Sequence, residues 1–448
     1  MKKFLAYPEI LRLHLQLFIS WSIIALILEL VNQLQLIYQI PDNYVLGYGQ
    51  IRPALAMALL FGAGLNLLFA HGYLTFARVE RENVVWPPLG LAALALLNLS
   101  LAAGVVAIWL RFNTGREYGE LPFLFANGVI LSLLLFTAIL LLTVGKKAQV
   151  QPGSGLVVFI STSLIIVYFL GNLGLPIHPL HTVSLFQGVQ DSGLQEYYRF
   201  ALLGSGIILP TVAVHSLWQE KQAEVPALGL TVVLLGAGAA LAGWSGLLLG
   251  PAHPVLQTMG SVTGLIFAIA VLAAAVLLYR AGAEPLARFS AIALAVLALI
   301  LALTSVRSGA ARFGFTYLGN RDLVQAAFLL LLPAGLLLVS RGFQIRIPAR
   351  SVQLILIGLG LSLAANLIQG TIQAFATSEK WFSVLFAGQL FVEPTDSMLA
   401  HYWFSMRGFY FLGRILTLAG MLLLPLALIG RNKEESSAQE YLLVEEDR

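Results

Sequence analysis

Cysteine is absent from the 448 residues. Without a thiolate there is no disulfide frame, no sulfur-ligated cluster, no cysteine-based zinc site and no c-type haem tethered to this chain, because each of these needs the sulfur. Charge is the second scarcity. Asp, Glu, Lys and Arg make up 11% of the residues, while apolar ones reach 58% and mean hydropathy is +0.85. A soluble domain carries about 25% charged residues, so this balance excludes an ordinary globular enzyme and points to a bilayer. Histidine is the third scarcity, with 7 in the whole chain.

What is abundant is apolar sequence in lengths of about 20 residues, enough to cross a hydrocarbon core of about 30 Å. Such stretches recur at 14–37, 54–75, 87–110, 122–144, 155–175, 197–217, 227–249, 255–279, 286–306, 323–340, 351–375 and 402–430. They predict an all-α integral membrane protein of about twelve transmembrane helices. The start, "MKKFLAYPEILRLHLQLF", has basic residues before an apolar segment, but no clean small-residue cleavage site follows, so it is read as the first helix, retained. On an alternating topology 16 of the 26 Lys and Arg fall on one side, from Lys2, Lys3 and Arg12 to Arg431, Lys433 and Arg448. By the positive-inside rule both termini are expected to be cytoplasmic. The formal charge of +4 reflects this asymmetry and calls for no nucleic-acid partner.

Short connections predict one membrane domain over 1–430, followed by a charged tail at 431–448 that is expected to be disordered. Two outer loops are longer, at 176–198 and 376–403. The aromatic and aliphatic residues of the second suit an interfacial helix or a docking surface for another subunit.

Several stretches, in order, carry a resemblance. They are "LGYGQIRPALAMALLFGAGLNLLF" at 46–69, "GREYGELP" at 115–122, "SLFQGVQDSGLQEYYRFALLG" at 184–204, "GPAHPVLQTMG" at 250–260 and "HYWFSMRGFYFLGRILTLAGML" at 401–422. Together they resemble subunit I of the haem-copper oxidases, in the branch of the cbb3-type enzymes and nitric oxide reductase. The resemblance implies a subunit I-like bundle with the same helix count and orientation, in the cytoplasmic membrane of a bacterium or archaeon. It also implies a respiratory complex with other membrane subunits, including a membrane-anchored c-type cytochrome.

The family's chemistry does not carry over. Its low-spin haem takes two imidazoles from facing helices, its high-spin haem a third and its copper three more, because these metals bind neutral nitrogen donors in fixed geometry. At the position of the first haem ligand stands Leu55, and at the first copper ligand Phe200. Of the paired copper histidines the chain has Ala252 and His253, so three ligand positions, Leu55, Phe200 and Ala252, are vacated. No histidine lies between His253 and His401, so the span at 323–340, which supplies two haem ligands in the family, supplies none here. His71 follows Leu55 by 16 residues, about 24 Å along a helix, near the opposite membrane face. His14 and His215 fall near cytoplasmic helix ends, and His178, His181 and His401 in or beside outer loops. Neither haem nor copper is therefore expected; lipid or quinone could fill the space.

Other residues carry expectations of their own. Glu117 and Glu120 match family carboxylates near the haem propionates and a bound calcium. They are read here as capping the fourth helix or pairing with Arg111 and Arg116, with a retained cation site or docking contact as the other reading. His253, between Pro251 and Pro254, is a hydrogen-bonded polar residue or a metal ligand. Glu29 lies in the first helix, and Arg407 and Arg414 lie two turns apart in the last. Ionisable groups at such depth are costly and usually paired, so a Glu29–Arg414 ion pair is predicted, as a structural latch in preference to a proton path. Asn66, Asn98, Ser161, Thr162, Ser163 and Gln369 are expected to bond between helices. The leading expectation is a haem-free, non-catalytic scaffold or docking subunit. The alternatives are a divergent oxidase or nitric oxide reductase with unusual haem ligands, and a conduit for a proton, an ion or a small molecule.

Overall fold

A computed structural model describes residues 7–38, 47–76, 87–112, 118–144, 152–172, 198–216, 254–281, 284–305, 323–343, 345–387 and 406–426. They form eleven helices and, among the described residues, no strand. In chain order these are α1 (Tyr7–Tyr38), α2 (48–75), α3 (Pro87–Trp109), α4 (Phe123–Val144), α5 (Pro152–Asn172), α6 (198–216), α7 (Pro254–Ala281), α8 (Pro285–Ser305), α9 (Leu323–Gly342), α10 (Ala349–Ala387) and α11 (Met406–Leu426). Ten are long and apolar enough to cross a membrane, and α5 contributes a shorter apolar stretch, Gly155–Tyr168. The predicted span at 227–249, the tail at 431–448 and most of the 176–198 loop lie outside the described residues.

The helices follow from what hydrocarbon demands. With no water to bond, each backbone N–H must find its carbonyl within the same segment. Proline marks the entries: α3, α5, α7 and α8 all begin on one, where its missing N–H costs no helical bond and its φ is already helical. One expectation changes. The stretch from 376, expected to be an outer loop suited to an interfacial helix, instead continues α10 as far as Ala387, giving 39 residues. At 1.5 Å per residue that is about 58 Å, well beyond the hydrocarbon thickness. The apolar run "FATSEKWFSVLF" contains no proline or glycine to stop the helix.

Burial sorts the helices into two classes. In α2, α6 and α9 the most apolar window is 94% buried, whereas α3 and α10 reach only 33%. The first three are hydrophobic all round and form the centre; α3 packs with α4, α7 with α8, and α1 lies along α2. The outward faces of the outer helices carry Leu99, Leu110, Leu124, Ile269 and Leu426, more than half exposed, as a lipid-facing surface requires. Small residues set how closely helices approach. A Cβ on Gly335 of α9 would run into the Phe18 ring of α1, and a Cβ on Gly358 of α10 would meet the backbone of Gly413 in α11.

Two helices depart from α geometry. α2 is π-helical over Met57–Ala63 and α6 over Leu203–Ile208. In α6, Pro210 cannot donate to the carbonyl of Gly206 four residues before it, and the widened turn falls there. The two π segments face each other across an apolar cavity of about 10 Å³, room for one water-sized sphere, lined by residues that include Leu60, Phe61, Leu164, Leu202, Ile207 and Pro210.

Gly335→Ala is expected to destabilise the protein by about 1–3 kcal/mol through overpacking against Phe18, read as a lower thermal midpoint in detergent. Gly49→Ala, whose Cβ meets nothing within 4 Å, should leave the midpoint unchanged or raise it, since alanine favours a helix by up to about 1 kcal/mol.

Candidate functional site

Two groups of buried polar side chains tie helices together. The outer one is built on α1, α9 and α11. Glu29 is 2% exposed and Arg414 0%. Between these two predicted partners the structure places a phenol. Tyr410 Oη donates to Glu29 Oε1 at 2.6 Å and accepts from Arg414 Nε at 3.0 Å and Nη2 at 2.9 Å. A hydroxyl can give one proton and receive others, so one atom bridges both ions with short charge-assisted bonds, while Arg414 Nη1 is buried without a hydrogen bond. Arg414 Nη2 also donates to Gln325 Oε1 of α9, and the Arg414 Cζ lies 4.2 Å from the centre of the Phe328 ring. Glu29 is further held by Gln33 Nε2 at 2.9 Å and Asn32 Nδ2 at 3.4 Å, and Gln33 Oε1 accepts from Arg407 Nη1 at 3.3 Å.

Sequence reasoning found the two ions and missed the atom that joins them. The signal was present: Tyr410 precedes Arg414 by four residues and Gln33 follows Glu29 by four, so each lies on its partner's helical face. Gln325 lies on a third helix, and no spacing in the sequence points to it.

The inner node joins α1, α2 and α3. Asn66 Oδ1 accepts from His14 Nδ1 at 2.8 Å, and Asn66 Nδ2 donates to Asn98 Oδ1 at 2.9 Å. Asn98 Oδ1 also accepts from Trp21 Nε1 at 2.8 Å. An amide oxygen only accepts, so His14 carries its proton on Nδ1. Asn66 and Asn98 thus bond between helices as expected. Ser161 and Thr162 instead bond back to carbonyls of their own helix, Ser161 to Val157 and Val158 and Thr162 to Val158.

At the outer end, the connection from α3 to α4 turns through Arg111 and Tyr118, whose φ values of 68° and 63° place both in the left-handed region. Tyr118 is buried among the first turns of two central helices: its carbonyl accepts from Tyr198 Oη at 3.0 Å, and its Oη accepts from the Leu323 N–H at 3.2 Å. Arg111 Nε meets Oε1 of Gln50 at 2.8 Å once that amide is turned to satisfy both its ends. Glu120 is buried. Glu117, Ala252 and His253 lie outside the described residues. No group of three or more His, Asp or Glu side chains able to hold a metal occurs among the described residues.

Of the positions that the resemblance implies are vacated, Leu55 and Phe200 are described and sit in the centre. Leu55 is 1% exposed, two residues before the π segment of α2, and Phe200 is 5% exposed, three residues before that of α6. Neither side chain has a nitrogen to give, and α9 contains no histidine. Among the described histidines, His14 is bonded to Asn66, His215 Nε2 lies 3.2 Å from Ser290 Oγ, and His71, sixteen residues beyond Leu55, is buried with Nδ1 unbonded. Haem, which the resemblance implies, does not fit this donor set.

No protein-family model matches the chain. It is 22% identical to the cbb3-type cytochrome c oxidase subunit CcoN1 of Stutzerimonas stutzeri over 40% of this chain and 38% of that one. It is 22% identical to the cytochrome c oxidase subunit 1 homolog of Agrobacterium tumefaciens (strain T37) over 59% of this chain and 50% of that one. With the cytochrome c oxidase subunit 1 of Rhodobacter capsulatus the identity is 23% over 56% and 49%. The matches thus span about half the length of these relatives or less.

If the phenol joins the ions, Glu29 and Arg414 should be coupled through it. Glu29→Gln and Arg414→Met are expected to be non-additive in stability by about 0.5–3 kcal/mol. In a Tyr410→Phe background that coupling should fall by more than half. An undiminished coupling in the Phe background would mean a direct ion pair.

Proposed function

We propose, from the premise that the chain is a distant relative of haem-copper oxidase subunit I, that it is a haem-free, non-catalytic membrane subunit serving as scaffold or docking partner in a respiratory electron-transfer complex. The observation that carries this reading is the chemistry at the ligand positions: buried hydrocarbon at Leu55 and Phe200, and a central α9 without an imidazole. A metal held by neutral nitrogen donors has nothing to bind there.

What the residues do is hold helices. The outer node ties α1, α9 and α11, and the inner one α1, α2 and α3. The α3–α4 connection pins the first turns of α6 and α9 through Tyr118. A bundle braced in this way offers a rigid outer surface. Its partners in this proposal are membrane lipid, further membrane subunits and a membrane-anchored c-type cytochrome. Lipid, or a quinone at a helix surface, is the accompanying small molecule. The basic residues that cluster on one side support cytoplasmic termini, and the resemblance implies the membrane of a bacterium or archaeon.

Two measurements test the proposal together. Protein purified in mild detergent should show no Soret band. Affinity capture from native membranes should retrieve at least one other membrane subunit in constant ratio. A Soret band would favour a divergent oxidase or nitric oxide reductase with unusual ligands. Recovery of the chain alone would remove the scaffold role.

A further inference from the structure

A lack of ligands does not by itself close a haem site; helix packing does. In the arrangement that the resemblance implies, one imidazole comes from α2 at the level of Leu55 and the opposite one from α9, with the porphyrin between. Such a sandwich holds the two backbones apart by two metal–nitrogen bonds of about 2 Å each and by two whole histidine side chains.

The helices here are in direct contact. α9 comes within 8 Å, Cα to Cα, of the outer part of α2 (Tyr48–Ala56), of its π segment and of its inner part (Gly64–Thr75). Helices that touch have axes about 8–10 Å apart, which leaves no slot for a macrocycle. At Gly64 the two helices are in van der Waals contact: a Cβ there would lie 3.4 Å from Leu331 Cδ1. From the side, Phe18 of α1 enters the notch at Gly335, and Arg414 of α11 lies against Phe328. Leu55 and Phe328 are each at most 1% exposed.

We propose that the space between α2 and α9 is closed by the chain's own side chains, so that helix packing excludes haem even where histidines are supplied. This rests on the reading of the chain as haem-free and adds a cause that the ligand count does not contain. The register of the contact says where to look. The first turns of α2, α6 and α9 all meet the 111–121 connection, through Gln50, Tyr198 and Leu323. The helices therefore run the same way. Since Gly64 meets Leu331, Leu55 stands level with the first turns of α9.

The experiment combines Leu55→His with Val324→His, Ala326→His or Ala327→His, each expressed with added haem precursor and purified beside the wild type. No variant is expected to show a Soret band above that of the wild type. Stoichiometric low-spin haem in any one of them would overturn the closure. Histidine pairs can fail to fold, so a second measurement uses the absence of cysteine. Leu55→Cys is paired with the same three positions changed to Cys and oxidised in membranes. A disulfide needs Cα atoms within about 7 Å, so at least one pair should close quantitatively. Failure of all three would show the helices apart and overturn the proposal. Haem in the wild type would sink the haem-free reading itself, whereas haem in the variants alone would sink only the closure.

Discussion

A guanidinium in hydrocarbon must be answered by the protein, and Arg414, with no exposed surface, is answered from three helices at once. Its own helix supplies the Tyr410 oxygen, α9 supplies the Gln325 oxygen and the Phe328 face, and α1 supplies the balancing charge of Glu29 through the phenol. A direct contact would have required Glu29 and Arg414 at one spacing. The phenol separates the ions while keeping each hydrogen-bonded, and its ring adds apolar surface to the same contact. The positions of α1, α9 and α11 relative to one another in the outer half follow from this one demand.

The inner half is held by neutral groups. Asn66 and Asn98 exchange hydrogen bonds across α2 and α3, and His14 and Trp21 bring α1 to the same pair. A hydrogen bond between helices in a membrane contributes about 0.6 kcal/mol on average, so this node fixes register more than it adds stability. Cohesion comes from the apolar contact between the nodes, where Gly335 admits Phe18 and Leu331 packs against Gly64. A single stack of polar contacts along one side of α1, with Glu29 towards its outer end and His14 towards its inner end, thus orients the first helix against four others.

Much of the fold was legible because hydropathy and proline are local signals. The spans at 87–110, 255–279 and 286–306 coincide with helices that begin on proline, and Glu29 and Arg414 stood out because charge is rare at that depth. What lay one helical turn away, Tyr410 and Gln33, was within reach of spacing rules. Gln325, the left-handed Tyr118 and the meeting of α2 with α9 were not, because each depends on which helix faces which. The end of α10 was misjudged for another reason: length alone suggested a stop near 375, while the residues that follow contain nothing to break a helix.

The π segments bring sequence and site together. In a straight α-helix each residue turns by about 100°. A wider turn inserts a residue without a full advance and so re-aims every side chain beyond it. In α2 this re-aiming falls between Leu55, which faces the centre, and Asn66, which meets α1 and α3. In α6 it falls between Phe200 and His215, which reaches Ser290 on α8. π turns recur at functional sites because they aim side chains that a regular helix cannot. Here the residues just ahead of both turns, at positions that the resemblance assigns to ligands, are hydrocarbons, and a small apolar cavity lies between the turns. The same backbone irregularity therefore aims packing groups instead of metal ligands.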